Sequence, residues 1–194
     1  KRVQCQGGAK NYVVVMPDAD LEMSAKIVSD SAFGCAGQRC LAVSAAIAVG
    51  DAAKPFTDAI SGIASNLKVG NGLSDGVQMG PVISPASKAR IEGLIGKGLS
   101  QGGRAVLDGR NPQIDGGGKG SFLKPTILAD LAPGNELTTT EIFGPVLAMQ
   151  TVKDLDSAIE VLSRSAFGNQ ASIFTSSGSS ARKFRYEAPC GNIG

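Results

Sequence analysis

The chain has 194 residues, 42% of them hydrophobic, and its 19 basic and 17 acidic residues leave a formal net charge of +2. The basic residues are scattered and no apolar run approaches the roughly 18 residues of a membrane span, so neither nucleic acid nor a membrane is an expected partner. There is no histidine, and the four cysteines form no CxxC pair. These features argue against a metal site and for a reducing, intracellular compartment, whether mitochondrial or cytoplasmic.

Short apolar runs and helical stripes alternate through the first half of the chain. Residues 13–16 form a valine-rich strand that ends at Pro-Asp, and apolar residues at helical spacing over 21–32 predict a helix. A second strand is predicted over 42–49 and a second helix over 56–67. Residues 70–83 are rich in Gly, Asn, Asp and Pro and are predicted to form a loop.

The second half continues this alternation. Ser84-Pro85 is typical of a helix start, and the apolar stripe that follows extends to Leu99. The remaining predicted elements are strands over 105–107, 123–128, 146–152 and 171–174, helices over 155–162 and 181–187, and a loop over 109–121. Alternating strands and helices predict an α/β fold with a mainly parallel sheet flanked by helices. Because the chain starts at Lys1 and ends inside a predicted strand, we expect it to be part of a longer protein.

The glycine-flanked turn over residues 33–40, Phe-Gly-Cys-Ala-Gly-Gln-Arg-Cys, is the first candidate for chemistry. A cysteine on such a turn can stand clear of the backbone and attack a carbonyl. Without histidine, the Cys40 thiolate would have to be stabilised by Arg39, a helix terminus or a bound cofactor. A packed structural cysteine is an equal alternative on spacing alone. Cys35 is expected to be a packed neighbour rather than a disulfide partner.

Other residues have both a functional and an ordinary interpretation. Arg39 is either a surface or ion-paired arginine or a bidentate fork for a substrate carboxylate. The glycines before the first strand, at positions 7 and 8, either form a plain turn or allow a ligand to approach the backbone. Glu141 either accepts hydrogen bonds from ligand hydroxyls or is a surface acid. Phe143 either packs against a flat ring or belongs to the core.

Five motifs, taken in order, resemble the aldehyde dehydrogenase superfamily. They are Gly8-Ala9-Lys10-Asn11, Met16-Pro17-Asp18-Ala19-Asp20, Gly37-Gln38-Arg39-Cys40, Met79-Gly80-Pro81-Val82-Ile83 and Glu141-Ile142-Phe143-Gly144-Pro145-Val146. Their order and spacing are similar to the family's catalytic domain over residues 1–194, without its N-terminal NAD-binding domain. The resemblance therefore implies an incomplete aldehyde dehydrogenase catalytic-domain-like fold. The first three motifs are most similar to the CoA-acylating methylmalonate-semialdehyde dehydrogenase branch.

The resemblance implies a role for each matching position. Cys40 corresponds to the nucleophile that forms a thiohemiacetal with the aldehyde and, after hydride transfer to NAD, a thioacyl enzyme. Glu141 corresponds to the acid that binds the nicotinamide-side ribose, Phe143 lies against the nicotinamide, and Gly7 lies near its carboxamide. Arg39 corresponds to an arginine that holds the carboxylate of semialdehyde substrates.

Gln6 occupies the position of a glutamate that activates water in hydrolytic members of the superfamily. A glutamine amide cannot act as that general base, so the acyl group would wait on Cys40 until the thiol of CoA accepts it. The acylating branch usually has an asparagine followed by a bulky apolar residue here, whereas this chain has Gln6-Gly7. In that branch, malonate or methylmalonate semialdehyde is converted with loss of carbon dioxide to acetyl-CoA or propionyl-CoA.

Two alternative functions are open from the sequence. One is a hydrolytic NAD(P)-dependent aldehyde dehydrogenase that uses another base, and the other is a non-catalytic remnant that acts as a binding module. The resemblance also implies a homo-oligomer for the full-length protein. It further implies that residues 1–194 alone are inactive, because most of the cofactor site belongs to the absent domain.

Overall fold

A computed structural model describes residues 1–3, 5, 7–114 and 120–194. Within these ranges, seven strands form one sheet. They are β1 Asn11–Val15, β2 Val43–Val49, β3 Arg104–Leu107, β4 Thr126–Ala129, β5 Val146–Val152, β6 Gln170–Phe174 and β7 Asn192–Ile193. Their order in the sheet is β3-β4-β5-β2-β1-β6-β7, and only the β3-β4 pair among them is antiparallel. The predicted mainly parallel α/β fold is confirmed.

The helices of the described residues are α1 Leu21–Phe33, α2 Ala53–Ser65, α3 Pro85–Ser100, α4 Glu136–Thr139, α5 Leu155–Ser163 and α6 Gly178–Glu187. Side-chain caps start most of them. Asp20 accepts a hydrogen bond from Met23 N at the start of α1, and Ser84 accepts one from Ser87 N at the start of α3. The helix start predicted at Ser84-Pro85 is therefore confirmed.

Two elements differ most from the sequence expectation. β4 begins at Thr126 rather than at 123, because Pro125 has no N–H to donate to a neighbouring strand. The four-residue helix α4 is too short to show an apolar stripe, and Asn135 caps it by accepting from Leu137 N. The strand predicted at the end of the chain is present as β7. Of the loop predicted over 109–121, residues 115–119 lie outside the described residues.

Helices cover both faces of the sheet. The crossovers from β1 through α1 to β2 and from β5 through α5 to β6 run in opposite directions along the sheet. Because parallel crossovers are right-handed, α1 and α5 lie on opposite faces. Strand β1 is consequently buried along its whole length, which explains its uninterrupted apolar run. No helix of the described ranges is long and apolar enough to cross a membrane.

Candidate active site

The candidate residues precede three of the four central strands of the sheet. Cys40 lies just before β2, Glu141 and Phe143 before β5, and Gly7 before β1. Because β1, β2, β5 and β6 are mutually parallel, their amino ends meet at one edge of the sheet. The topology thus brings together segments that are more than a hundred residues apart in the chain.

Cys40 lies in a turn between α1 and β2 that has an unusual backbone. Cys35 and Ala36 both adopt left-handed conformations, with φ of 52° and 53°, and Gly37 follows with φ of 67°. Left-handed backbone in non-glycine residues is disfavoured and persists where the surrounding structure enforces it. This turn reverses the chain after α1 and leaves the Cys40 residue exposed.

The expectation that Cys35 packs beside Cys40 is wrong. Cys35 is exposed, whereas the next two residues of the same turn, Ala36 and Gly37, are buried. All four cysteines are free thiols, and burial raises the pKa of the half-buried Cys190. Within the described part of the chain, no group of three Cys, Asp or Glu side chains is placed to hold a metal ion.

Gly37 brings the Cys40 turn into contact with the loop that carries Glu141 and Phe143. A Cβ atom on Gly37 would lie 2.1 Å from Gly144 O and 2.9 Å from Ala32 O. Only glycine permits this approach, since the contacts are with backbone atoms and φ is positive.

We expect Gly37→Ala to destabilise the chain by about 3 kcal/mol. The new methyl group would collide with the backbone at Gly144, and alanine at position 37 would have to hold a left-handed backbone conformation. Urea unfolding monitored by circular dichroism measures the change. Gly62→Ala is the matched control, because a Cβ there meets nothing within 4 Å and alanine favours the helix by about 1 kcal/mol. Equal effects of the two substitutions would contradict the close approach.

Arg39 contacts the end of α1 rather than an acidic side chain. Its Nη2 donates to Asp30 O at 3.1 Å and to Ser31 O at 2.8 Å. The guanidinium therefore satisfies carbonyls at a helix C-terminus, where a positive charge is favourable. Arg39 also lines an open groove of about 790 Å³ together with Cys40 and Phe143.

The loop with Glu141 and Phe143 adjoins this groove. Arg39, Glu141 and Phe143 line a narrow cleft beside it, so Arg39 and Phe143 border both spaces. Phe143 has a φ of 51° and is 40% exposed. A strained backbone that presents an aromatic ring to solvent is typical of functional sites. Phe143 is thus not a core residue, which removes one of the two interpretations of this position.

Arg90 on α3 supports that loop, and sequence reasoning missed it. Its guanidinium donates to the carbonyls of Glu141, at 3.4 Å, and of Ile142. No local sequence pattern indicates this contact, because the partners are about fifty residues apart and are backbone atoms.

Gly7 and Gly8 border a third depression, of about 370 Å³, with residues 166–169. A Cβ atom on Gly8 would lie 2.9 Å from Phe167 and 3.4 Å from Glu141 Oε2, whereas one on Gly7 would meet nothing within 4 Å. The backbone at Gly7 is therefore open to a ligand, and the Glu141 carboxylate lies nearby. The chemistry of these groups fits NAD. The Glu141 carboxylate suits ribose hydroxyls, and the exposed Phe143 ring and the open Gly7 backbone suit the nicotinamide. Gln6 lies outside the described residues, so its role stays a prediction.

Three further polar residues lie at this edge. Lys10 and Asn11 belong to the first sequence motif, where no role was assigned to them, and Asn169 was not singled out from the sequence. Asn11 and Asn169 both donate to Cys40 O. Lys10 is 1% exposed, and its Nζ has no hydrogen-bond partner in the described structure. Burial lowers the pKa of Lys10 to about 7, although the negative charge of Glu141 acts in the opposite direction.

Comparisons with known proteins agree with this architecture. The profile of the aldehyde dehydrogenase family matches residues 1–194. The mitochondrial acylating methylmalonate-semialdehyde/malonate-semialdehyde dehydrogenase of Anopheles gambiae is 45% identical over all of this chain and 37% of its own length. Malonate-semialdehyde dehydrogenase 2 of Geobacillus thermodenitrificans is 44% identical over all of this chain and 40% of its own length.

A solved structure is also similar. The methylmalonate-semialdehyde dehydrogenase of Sinorhizobium meliloti, crystallised with NAD, superimposes with a TM-score of 0.95 at 35% identity, over all of this chain and 40% of that one. The chain thus spans about two fifths of the length of these relatives. From the family match over its whole length, the chain belongs to the aldehyde dehydrogenase family.

Proposed function

We propose that this chain supplies the thiol-bearing part of an NAD-dependent, CoA-acylating dehydrogenase of malonate or methylmalonate semialdehyde. The observation that carries the proposal is the exposed Cys40 in a groove bordered by Arg39 and Phe143. The names of the relatives from Anopheles and Geobacillus support the substrate class.

Cys40 is the proposed nucleophile. Its thiolate attacks the aldehyde carbon, and the carbonyl oxygen becomes the hydroxyl of a thiohemiacetal. Bound NAD supplies a hydride acceptor, and loss of hydride and a proton from the thiohemiacetal leaves a thioester on Cys40. Arg39 directly precedes Cys40 in the chain. We propose that its positive charge binds the carboxylate of the substrate and so orients the aldehyde.

Glu141, Phe143 and Gly7 form the proposed cofactor-binding group. The Glu141 carboxylate accepts hydrogen bonds from the ribose hydroxyls, and the exposed ring of Phe143 packs against the nicotinamide. The open backbone at Gly7 is assigned to contact with the carboxamide group of the nicotinamide. We further propose that residues 1–194 form the catalytic domain, that another part of the enzyme supplies most of the NAD site, and that the assembled enzyme is a homo-oligomer.

The acyl acceptor in this proposal is CoA rather than water. The chain has glutamine at position 6, and a neutral amide does not take a proton from water. The thioester on Cys40 loses its β-carboxyl group as carbon dioxide, with the thioester carbonyl accepting the electron pair and a proton then replacing the carboxyl group. The CoA thiol attacks the remaining acyl group, which releases acetyl-CoA or propionyl-CoA and regenerates the Cys40 thiol.

Arg39→Leu should raise KM for malonate semialdehyde about tenfold to a hundredfold, while KM for propanal changes little. The reason is the loss of a charged hydrogen bond to the substrate carboxylate, worth roughly 1.5–3 kcal/mol. Nη2 already binds the end of α1, so we assign the carboxylate to Nη1 and Nε. The ratio between the two substrates corrects for any loss of folded protein. Equal changes in KM would remove the carboxylate role.

Trapping the thioester tests the proposal directly. The longest polypeptide that the gene encodes is incubated with NAD and malonate semialdehyde without CoA, digested and analysed by mass spectrometry. We expect an acyl group on the peptide with Cys40 and none on peptides with Cys5, Cys35 or Cys190. Adduct on another cysteine, or none at all, would overturn the assignment. NADH formation by the 194-residue chain alone would overturn the proposed need for a further NAD-binding part.

A further inference from the structure

The backbone carbonyl of Cys40 accepts hydrogen bonds from two asparagine side chains. Asn11 Nδ2 and Asn169 Nδ2 each lie 2.8 Å from Cys40 O. The second N–H of Asn11 donates to Ala42 O at 2.9 Å. Two amides from separate parts of the chain therefore hold the turn on both sides of Leu41.

The two amides also support each other. Asn169 Nδ2 lies 3.4 Å from Asn11 Oδ1, so both hydrogens of each amide have an acceptor. Asn11 is 2% exposed at the first position of β1. A buried amide with every donor satisfied has one favourable orientation. The buried Asn11 amide, in contact with the half-buried Asn169 amide, can therefore serve as a rigid support.

The support matters because the other hydrogen bonds that fix the turn involve residues on either side of Cys40 and Leu41, such as Gln38, Arg39 and Val43. Cys40 and Leu41 are exposed and belong to no helix or strand. Within the turn itself, Ala42 N donates to Arg39 O at 3.1 Å. Holding the Cys40 carbonyl fixes the peptide plane that follows the Cα atom, and with it the direction of the Cα–Cβ bond, from which the χ1 rotamer places the thiol.

We propose that Asn11 and Asn169 are positioning residues that aim the Cys40 thiol at the substrate carbonyl. The inference rests on the proposed role of Cys40 as the nucleophile. Asn169 also lines the depression that contains Gly7, so the residue that orients the thiol lies beside the proposed nicotinamide site. Displacing a reacting group by about 1 Å can reduce the rate about a hundredfold.

Asn169→Asp tests this inference, because it keeps the shape of the side chain and removes both N–H donors. Asn66→Asp is the matched control, since the Asn66 amide also donates to a backbone carbonyl, Gly62 O, at 2.8 Å and the charge change is the same. Asn169→Ala separates the loss of the donors from repulsion by the new carboxylate.

The first readout is fluorine NMR of Cys40 labelled with bromotrifluoroacetone, in a chain in which the other three cysteines are replaced by serine. We expect one narrow fluorine resonance in the chain with Asn169 intact and in the Asn66→Asp control. In Asn169→Asp and Asn169→Ala, we expect either a linewidth about twice as large or several resonances. An unchanged line in folded Asn169 variants would overturn the inference. In the unsubstituted chain, slow hydrogen exchange of the Asn11 and Asn169 side-chain amides is expected, and exchange at the rate of free amides would also overturn it.

The second readout is steady-state kinetics of the longest encoded polypeptide. Asn169→Asp should lower kcat about tenfold to a hundredfold, with KM for NAD and for the aldehyde within about threefold. A loss through misfolding alone would lower the amount of active enzyme and leave the fluorine line of the folded fraction unchanged. If the unsubstituted polypeptide makes no NADH, the proposed function fails, while the fluorine and exchange measurements still decide the role of the two asparagines.

Discussion

Cys40→Ala should lower NADH formation by the longest encoded polypeptide at least about 1,000-fold, with NAD binding nearly unchanged. The methyl group of alanine cannot form the covalent adduct through which the aldehyde is oxidised. NAD binding should persist because the proposed cofactor-binding residues, Glu141, Phe143 and Gly7, are all retained in this variant. Absorbance at 340 nm measures turnover, and fluorescence quenching measures the dissociation constant for NAD.

Cys35→Ala is the control for this experiment. Cys35 is also an exposed free thiol only five positions away, and alanine at this position has the same backbone preference. Its activity should stay within about twofold of the unsubstituted enzyme. A Cys40→Ala enzyme that retains a tenth of its activity, or that loses NAD binding, would show that Cys40 has been given the wrong role. Alkylation of Cys40 by iodoacetamide no faster than that of Cys5, Cys35 or Cys190 would favour a non-catalytic remnant.

Lys10→Met should stabilise the chain near pH 7, on the order of 3 kcal/mol. The Lys10 ammonium is buried without a hydrogen-bond partner in the described structure, and burial lowers its pKa from 10.5 to about 7. Methionine fills a similar volume without the charge, and replacing a buried charge in this way is often stabilising. Urea unfolding at several pH values measures the difference in free energy.

The stability advantage of Lys10→Met is expected to fall as the pH rises. Between about pH 7 and 10.5 the unfolded lysine holds its proton and the folded one does not, so the stability contributed by this group rises with pH. The advantage of Lys10→Met is therefore largest below pH 7 and disappears by about pH 10.5. Lys54→Met, at an exposed ion pair with Asp58, should change stability by less than about 1 kcal/mol. An advantage of Lys10→Met that grows with pH would contradict the burial argument.

Much of the fold could be predicted because its elements are long enough to show a period. The valine run of β1, the apolar stripe of α1 and the Ser-Pro start of α3 each indicate their element locally. The helix α4 has four residues, less than the two turns that a stripe requires. The start of β4 could have been placed from Pro125, which has no N–H to donate, whereas its pairing with β5 is a property of the sheet.

Some of the candidate site residues could be selected from the sequence because they lie in local motifs. Cys40, Glu141 and Phe143 lie in recognisable motifs, and the structure places them at the amino edge of one sheet. The contacts of Arg90 and Asn169 could not be predicted, because they join side chains to backbone carbonyls far away in the chain. Cys35 was expected to pack against its neighbours but is exposed, in a turn whose left-handed backbone sequence periodicity does not describe.

The measurement that tests the account most directly is NADH formation by the longest encoded polypeptide with malonate semialdehyde, with and without CoA. We predict strong dependence on CoA, because Gln6 supplies no base to activate water, and we predict acetyl-CoA and carbon dioxide as the products. Turnover to a free acid at the same rate without CoA would contradict the account, and a hydrolytic dehydrogenase with a different base would replace it.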